Sequence, residues 1–412
     1  MNTFIILLFI TSGIYFTFKL KFKNFNPILT LKALIKKNDD IGITPFESLC
    51  ISLAGRIGVG SLSGVAISIL QGGIGSIFWM WITTIICSSN TMLESMISVK
   101  YRKKINKNTY EGGPFYYIDL ALKNKKFALI YAILFVLIYL GAFLPIQTNT
   151  ISKILFEVMH INKYIIAGII TLITSLIIYK NIKQIAEILS KIIPFIAITY
   201  IITCLIIILK NITVIDNILI NIIKEAFNKN SIITGFTIGT LKSIFSTEAG
   251  LGTGSIASSS SSNTNELEQG LVQVFGIFFD TFIVSTLTAF IILLSPFSKV
   301  NLLDINGIEI TQMAFIYQIG KIGGLILIIS IIVFAFSTII SSYYYIEVAL
   351  KYIFKYNFKK IYNISILIII FLSTIISPNI IWDLIDKGII ILAIINTIAL
   401  FLIINKKNDK IK

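Results

Sequence analysis

Two glycine-rich runs hold the residues whose types and spacing suit binding chemistry. Gly55-Arg56-Ile57-Gly58-Val59-Gly60-Ser61-Leu62-Ser63-Gly64 interrupts one apolar segment, and Phe245-Ser246-Thr247-Glu248-Ala249-Gly250-Leu251-Gly252-Thr253-Gly254 interrupts another. Glycine lowers helix stability by about 1 kcal/mol against alanine, so a helix is expected to open at each run. An opened helix in a bilayer bares amides and carbonyls that lipid cannot satisfy, and it persists only where protein or a cavity meets them. Freed amides at a helix start suit a carboxylate, and freed carbonyls at a helix end suit a cation. Close packing of small residues competes with this reading, because Gly60 and Gly64 also have GxxxG spacing. A nucleotide-binding glycine loop needs a strand before it and a soluble helix after it, and neither is present.

Further polar groups lie in apolar surroundings. Glu248 sits inside the second run, and an ionisable residue in a membrane segment is a functional candidate by default. Glu94, Gln147, Asn149, Glu187, Asp280 and Asn396 are the other intramembrane polar residues. Gln147 and Asn149 follow Pro145, which frees a backbone carbonyl. Ser337 and Thr338 offer adjacent hydroxyls inside the apolar run Ile328 to Ile340; bonding back to their own helix is the common alternative use. The run Ser258 to Asn265 reads as a flexible serine-rich linker. Cys50, Cys87 and Cys204 fit no metal spacing and are assigned to packing. His160, the single histidine, falls near a helix end, and no Ser/His/Asp or metal constellation supports an enzyme. A short repeated pore motif, as an ion channel would carry, is also missing.

The elements that position these groups are membrane helices. The chain has 412 residues, 56% hydrophobic and 13% charged, with mean hydropathy +0.88, whereas soluble domains are about 25% charged. The net charge of +15 resides in lysines of short loops between apolar runs, which indicates a bilayer and no nucleic-acid partner. Eleven apolar segments can be read, at 3–18, 45–70, 72–98, 127–157, 163–179, 184–209, 231–260, 268–295, 322–350, 361–377 and 382–405. The first has no positive charge before Lys19, unlike a signal peptide, and is expected to be retained with the amino terminus outside. Most basic residues follow the first, third, fifth and ninth segments (Lys19 to Lys37, Lys100 to Lys126, Lys180 to Lys191, Lys351 to Lys360) or lie in the tail. Positive residues stay in the cytoplasm, so the carboxyl terminus is expected inside.

An all-α membrane protein of about eleven spans follows. Without the first helix, ten segments divide into two sets of five with opposite orientation, the layout of an inverted repeat. Residues 1–40 form an extra amino-terminal helix and loop, 41–210 the first repeat, 231–405 the second, and 406–412 a cytoplasmic tail. Each glycine break falls in the opening helix of its half, and such a pair points to the binding site of a secondary transporter.

Several motifs, in consistent order from about 42 to 400, carry a specific resemblance. They are Gly42-Ile43-Thr44-Pro45-Phe46, the first break, Phe78-Trp79-Met80-Trp81, Val99-Lys100-Tyr101-Arg102 and Gly112-Gly113-Pro114-Phe115-Tyr116-Tyr117-Ile118. Phe245 to Gly252, Gln269-Gly270-Leu271-Val272, Asp280-Thr281 and Phe334-Ala335-Phe336-Ser337-Thr338 follow. Together they resemble the alanine/glycine:cation symporter family, the bacterial sodium:alanine symporters. The resemblance implies the leucine-transporter-type five-plus-five inverted repeat with one extra helix. It also implies uptake of a small neutral amino acid with Na⁺ by alternating access across the bacterial inner membrane, without a cofactor. A monomer in the lipid bilayer is expected.

Carried over by the resemblance, the substrate meets Gly58, Val59, Gly60 and Ser61, with Gln147 and Phe245, Ser246, Thr247, Glu248 and Gly250 across the site. Na⁺ meets carbonyls of Ala54, Ile57 and Phe334 and hydroxyls of Ser337 and Thr338, an oxygen-only set that suits a hard cation. Glu248 is expected to organise the second break by accepting backbone amides. The family reads Gly-Thr-Gly-Asn where this chain has Gly58-Val59-Gly60-Ser61, and Phe-Ser-Asn-Glu where Thr247 replaces the asparagine. These departures leave altered specificity open, and proton coupling on the same fold is the other alternative.

Overall fold

The computed structural model describes residues 2–35, 41–106, 109–299, 307–355, 358–376 and 378–406. Met1, Lys36, Lys37, Lys107 and the tail residues 407–412, which carry part of the topology expectation, lie outside the described residues.

The described chain is almost wholly helical. In order come α1 (Asn2–Lys19), α2 (Pro27–Ile35), α3 (Pro45–Arg56), α4 (Val65–Gly72), α5 (Ser76–Tyr101), α6 (Pro114–Leu122), α7 (Lys125–Ile138), α8 (Leu144–Met159) and α9 (Lys163–Ile178). There follow α10 (Ile182–Lys210), α11 (Ile212–Ala226), α12 (Ile232–Thr247), α13 (Thr253–Ser259), α14 (Glu266–Phe278), α15 (Thr286–Leu293), α16 (Gly307–Phe354), α17 (Lys359–Ser373) and α18 (Pro378–Ile404). A short antiparallel hairpin, β1 (Lys103–Asn106) and β2 (Thr109–Glu111), links α5 to α6. Three π-helical stretches are spliced in: Gly60–Gly64 before α4, Tyr139–Phe143 between α7 and α8, and Phe279–Ser285 between α14 and α15.

Among the described residues, five helical stretches are long and apolar enough to cross a membrane: Lys125–Val158, Ile182–Lys210, Glu266–Leu293, Gly307–Phe354 and Ile381–Ile404. The pair Pro45–Arg56 and Gly60–Gly72, bent by 50° at its break, makes a sixth if counted as one span. Ile6–Lys19 and Lys163–Ile178 are apolar but shorter. Local chemistry sets several helix starts. Thr44 and Glu47 form a capping box at α3, with Pro45 in the first turn, and Asn181 with Gln184 repeats the device at α10. Helix α5 packs against α1, α12, α13 and α14, while α16 packs against α3, α8 and α10. The two broken helices therefore sit between these supports.

Some elements were not foreseen. Helices α2, α6 and α11 and the part of α16 before its kink at Ile319–Gly320 fill stretches read as loops. Helix α11 buries Ile215, Ile222 and Ala226, half-buries Ile218 and Leu219, and exposes the other residues between them. An amphipathic helix of this kind lacks the unbroken apolar run by which a span is recognised.

The serine-rich run needs correction. Ser258 to Asn263 is buried, not a flexible linker. Ser262 N–H donates to Ile43 O at 2.6 Å, and Ile43 N–H donates to Ser260 O at 3.0 Å. Ser260 also bonds the Tyr344 hydroxyl, and Arg102 Nη1 donates to the carbonyls of Ser259 and Ser261. Small hydroxyls serve here because they let backbones approach and bond across helices.

Candidate substrate-binding site

The first helix opens at Ile57, whose ψ of 86° departs from helical geometry. Two glycines there are required by close approach. A Cβ on Gly58 would stand 2.5 Å from Thr338 Oγ1 and 3.1 Å from Gln147 Oε1, and one on Gly60 would stand 2.9 Å from Ser246 Cα. Gln147 Oε1 accepts from the Val59 N–H at 3.3 Å. Gly58, Val59, Gly60, Gln147 and Ser246 are thus brought to one place. Phe245 forms the adjoining wall, its ring centroid 5.6 Å from that of Phe143 and 5.3 Å from that of Trp382.

The second helix opens after Thr247. Glu248 takes φ +52°, and Gly250 and Gly252 take +75° and +83°, a region that favours glycine. The unwound backbone is strapped by side chains from other helices. Thr247 O accepts from Arg56 Nε at 2.8 Å, Gly250 O from Asn396 Nδ2 at 2.9 Å, and Leu251 O from the Tyr131 hydroxyl at 2.9 Å. Gly252 N–H donates to Glu94 Oε2 at 3.1 Å, which also accepts from Asn396 Nδ2 at 2.9 Å. Tyr117 holds the Asn396 side-chain oxygen.

The amide-accepting role expected of Glu248 therefore falls to Glu94. Glu248 instead accepts from the Tyr139 hydroxyl at 3.0 Å, in a stack in which Phe135, Tyr139 and Phe143 lie at 4.3 Å steps. Thr247 turns its hydroxyl to the Ser243 carbonyl of its own helix at 2.7 Å.

Asp280 joins the two breaks. Ser61 Oγ donates to one of its carboxylate oxygens, and Ser246 Oγ donates to the other at 2.7 Å. The two hydroxyls are 3.2 Å apart. The π-helical stretch Phe279–Ser285 presents this carboxylate.

The expected cation ligands divide. Thr338 Oγ1 lies 2.7 Å from Ala54 O and 2.9 Å from Phe334 O, so it links α16 to α3. Ser337 Oγ bonds Phe334 O at 2.8 Å within its own helix. The Ile57 N–H continues the helix to Leu53 O at 2.7 Å. Ala54, Phe334 and Thr338 thus supply converging oxygens of the hard-cation type. A hydroxyl has one proton and two lone pairs, so Thr338 can accept as well as donate.

Two polar candidates lie elsewhere. Asn149 Nδ2 donates to Ser373 O and Ile376 O, and Glu187 forms an exposed ion pair with Lys191 at 2.7 Å. Arg56 lies within the first run, and a lone arginine in an apolar segment is itself a functional signal. The parts of Glu94, Asn396 and Tyr139 depend on contacts between distant segments.

The profile described as the sodium:alanine symporter family matches residues 1–412. An amino-acid carrier protein of Bacillus subtilis, AlsT, is 31% identical, covering 95% of this chain and 85% of its own. A probable sodium/glutamine symporter of the same organism, GlnT, is 33% identical over 97% and 85%. A sodium/alanine symporter of Methanococcus maripaludis, AgcS, is 29% identical over 97% and 91%. The fold is similar to that of a Na⁺-coupled sialic acid symporter solved in a substrate-bound outward-open state, with TM-score 0.50, 12% identity and coverage of 98% and 82%.

Proposed function

Because the chain belongs to the sodium:alanine symporter family, we propose that it imports a small neutral amino acid, alanine or glycine, together with Na⁺. Membership makes it a membrane symporter that couples amino-acid movement to a cation, and not an enzyme. The finer reading assigns eleven spans: an extra helix within 1–40 and two inverted repeats, 41–210 and 231–405. The amino terminus lies outside, the carboxyl terminus lies in the cytoplasm, and a monomer works in the bilayer. Loop lysines support this orientation, and the paired breaks support the repeat.

The observation that carries the reading is the meeting of the two breaks, where Gly60 lies against the Ser246 backbone and Asp280 bonds Ser61 and Ser246 together. Break amides at Gly58 to Ser61 receive the substrate carboxylate. Gln147 and the Phe245 to Gly250 segment face the rest of it. Na⁺ is carried between Ala54, Ile57, Phe334, Ser337 and Thr338. Phe245, wedged between Phe143 and Trp382, supports a small substrate side chain. Alternating access opens this meeting point first to one side of the membrane and then to the other.

A specific observation favours a variant of this reading in which the preferred amino acid differs from alanine. Val59 has no hydroxyl, and the Ser61 hydroxyl is engaged by Asp280. A buried substrate group that loses a partner costs roughly 1–3 kcal/mol. Uptake into proteoliposomes under a Na⁺ gradient tests both, with glycine, both alanine enantiomers, serine, proline and glutamine compared. Na⁺-dependent uptake of alanine or glycine is expected, and no uptake of any amino acid under that gradient overturns the reading. Uptake driven by a pH gradient alone and abolished by Glu248→Gln would reassign the coupling ion to the proton.

A further inference from the structure

We infer that a single water molecule beside Gly254 bridges Arg56 to Glu94 and joins the end of the first broken helix to the start of α13. Arg56, Glu94 and Gln273 come from α3, α5 and α14, and each is at most 1% exposed. Arg56 Nη2, Glu94 Oε1 and Gln273 Oε1 have no hydrogen-bond partner among the described residues. All three surround one point. A Cβ built on Gly254 would stand 2.8 Å from Nη2, 3.4 Å from Glu94 Oε1 and 3.5 Å from Gln273 Oε1. Buried polar atoms without partners are costly and rare, and three that meet beside one glycine call for a shared partner.

The remaining atoms of these side chains are committed. Arg56 Nε bonds Thr247 O at 2.8 Å, and Nη1 bonds Gln273 O at 3.2 Å. A Cβ on Gly276 would come within 2.4 Å of Nη1, so the guanidinium is wedged between two glycines. Glu94 Oε2 is occupied by Gly252 N–H and Asn396. Arg56 forms no ion pair within 4.0 Å among the described residues. Nη2 and Glu94 Oε1 are therefore too far apart to bond directly, yet no farther than the 2.8 and 3.4 Å legs through the Gly254 point allow. Two hydrogen bonds of about 2.8 Å each through one oxygen span such a gap.

The chemistry of the three atoms selects that partner. The guanidinium edge repels a cation. Two acceptor oxygens repel an anion. A neutral molecule that accepts once and donates twice satisfies all three atoms, and water is the smallest that does so. Because Glu94 also holds the Gly252 amide, the bridge makes Arg56 and Glu94 positioning residues that fix the distance between the two breaks.

Gly254→Ala and Gly254→Ser separate this from tight packing. Alanine sets a methyl group 2.8 Å from Nη2, crowds the water out and leaves the three atoms unpaired. Serine is larger but returns a hydroxyl that can accept from Nη2 and donate to a carbonyl oxygen. The expected result is a lower thermal midpoint and slower Na⁺-driven uptake for alanine, with serine recovering at least half of each loss. Serine equal to or worse than alanine overturns the bridge. A map of the unaltered protein at a resolution that shows ordered water decides the matter even if neither variant folds. A peak within hydrogen-bond distance of Nη2 and Glu94 Oε1 is expected, and direct Arg56–Glu94 contact without a peak overturns it. Neither stability nor map depends on the transported amino acid, so failure here is distinguishable from failure of the functional reading.

Discussion

The two helix breaks are alike in glycine content and differ in how their opened backbone is held. The second is strapped by side chains from three other helices and by Arg56, with a carboxylate on the Gly252 amide and an asparagine on the Gly250 carbonyl. The first is met by softer partners: the Gln147 amide oxygen on Val59 N–H and the Thr338 hydroxyl on Ala54 O. A neutral hydrogen bond contributes about 1 kcal/mol, and one to a charged group roughly 1.5–3. The second break is therefore built as scaffold, and the first keeps groups that a substrate or ion can recruit at lower cost.

The largest effect is expected at the joint between them. Asp280→Asn replaces a carboxylate that accepts from both breaks, and loss of even one charge-assisted bond's worth, about 3 kcal/mol, slows uptake roughly 100-fold or more. Initial rates at matched protein level in proteoliposomes measure this; near-normal uptake would show that the clasp is dispensable. Next comes Asn396→Ala, which cuts a strap on the second break. It is expected to destabilise by about 1–3 kcal/mol, seen as a lower thermal midpoint, while Na⁺ half-saturation stays unchanged in the surviving protein.

Thr338→Val tests the other side of the comparison. It removes a hydroxyl at nearly constant shape, so the midpoint should hold while Na⁺ half-saturation rises about tenfold, equivalent to roughly 1.4 kcal/mol. If Asn396→Ala moves Na⁺ half-saturation as far as Thr338→Val does, the division into scaffold and ligand-facing breaks fails. The smallest effect is expected from Val59→Thr, which leaves the Ser61–Asp280 bond in place: a few-fold change in the ratio of alanine to larger amino acids, from about 1 kcal/mol. Unchanged selectivity would remove Val59 from the pocket.

The sequence made the breaks and the apolar helices legible because both are local signals: glycine clusters and long runs of isoleucine and leucine. The straps were not legible. Glu94 and Asn396 are far apart in the chain yet share one hydrogen bond, and nothing in local composition predicts such pairing. The charge of Arg56 is legible within the first run, but its partner Thr247 lies in the distant second run. The serine run is ambiguous in sequence because a solvated linker and a buried, small-residue contact have the same composition. Helix α11 was missed because its apolar residues are spaced along one face and not continuous.

The three π-helical stretches have a consequence for register. Each holds one more residue than an α-turn of the same rise, and one residue turns an α-helix by roughly 100°. Ser61, Tyr139 and Asp280 lie in these stretches, one in each. The extra residue acts as an angular offset, aiming a polar side chain inward while the next turn resumes its apolar face. A one-residue deletion within Phe279–Ser285 would restore a regular helix and swing everything beyond it by about a quarter turn or more. Helix α15 would then show a different face to α10 and α16, so the site's shape is written in residue count as much as in residue type.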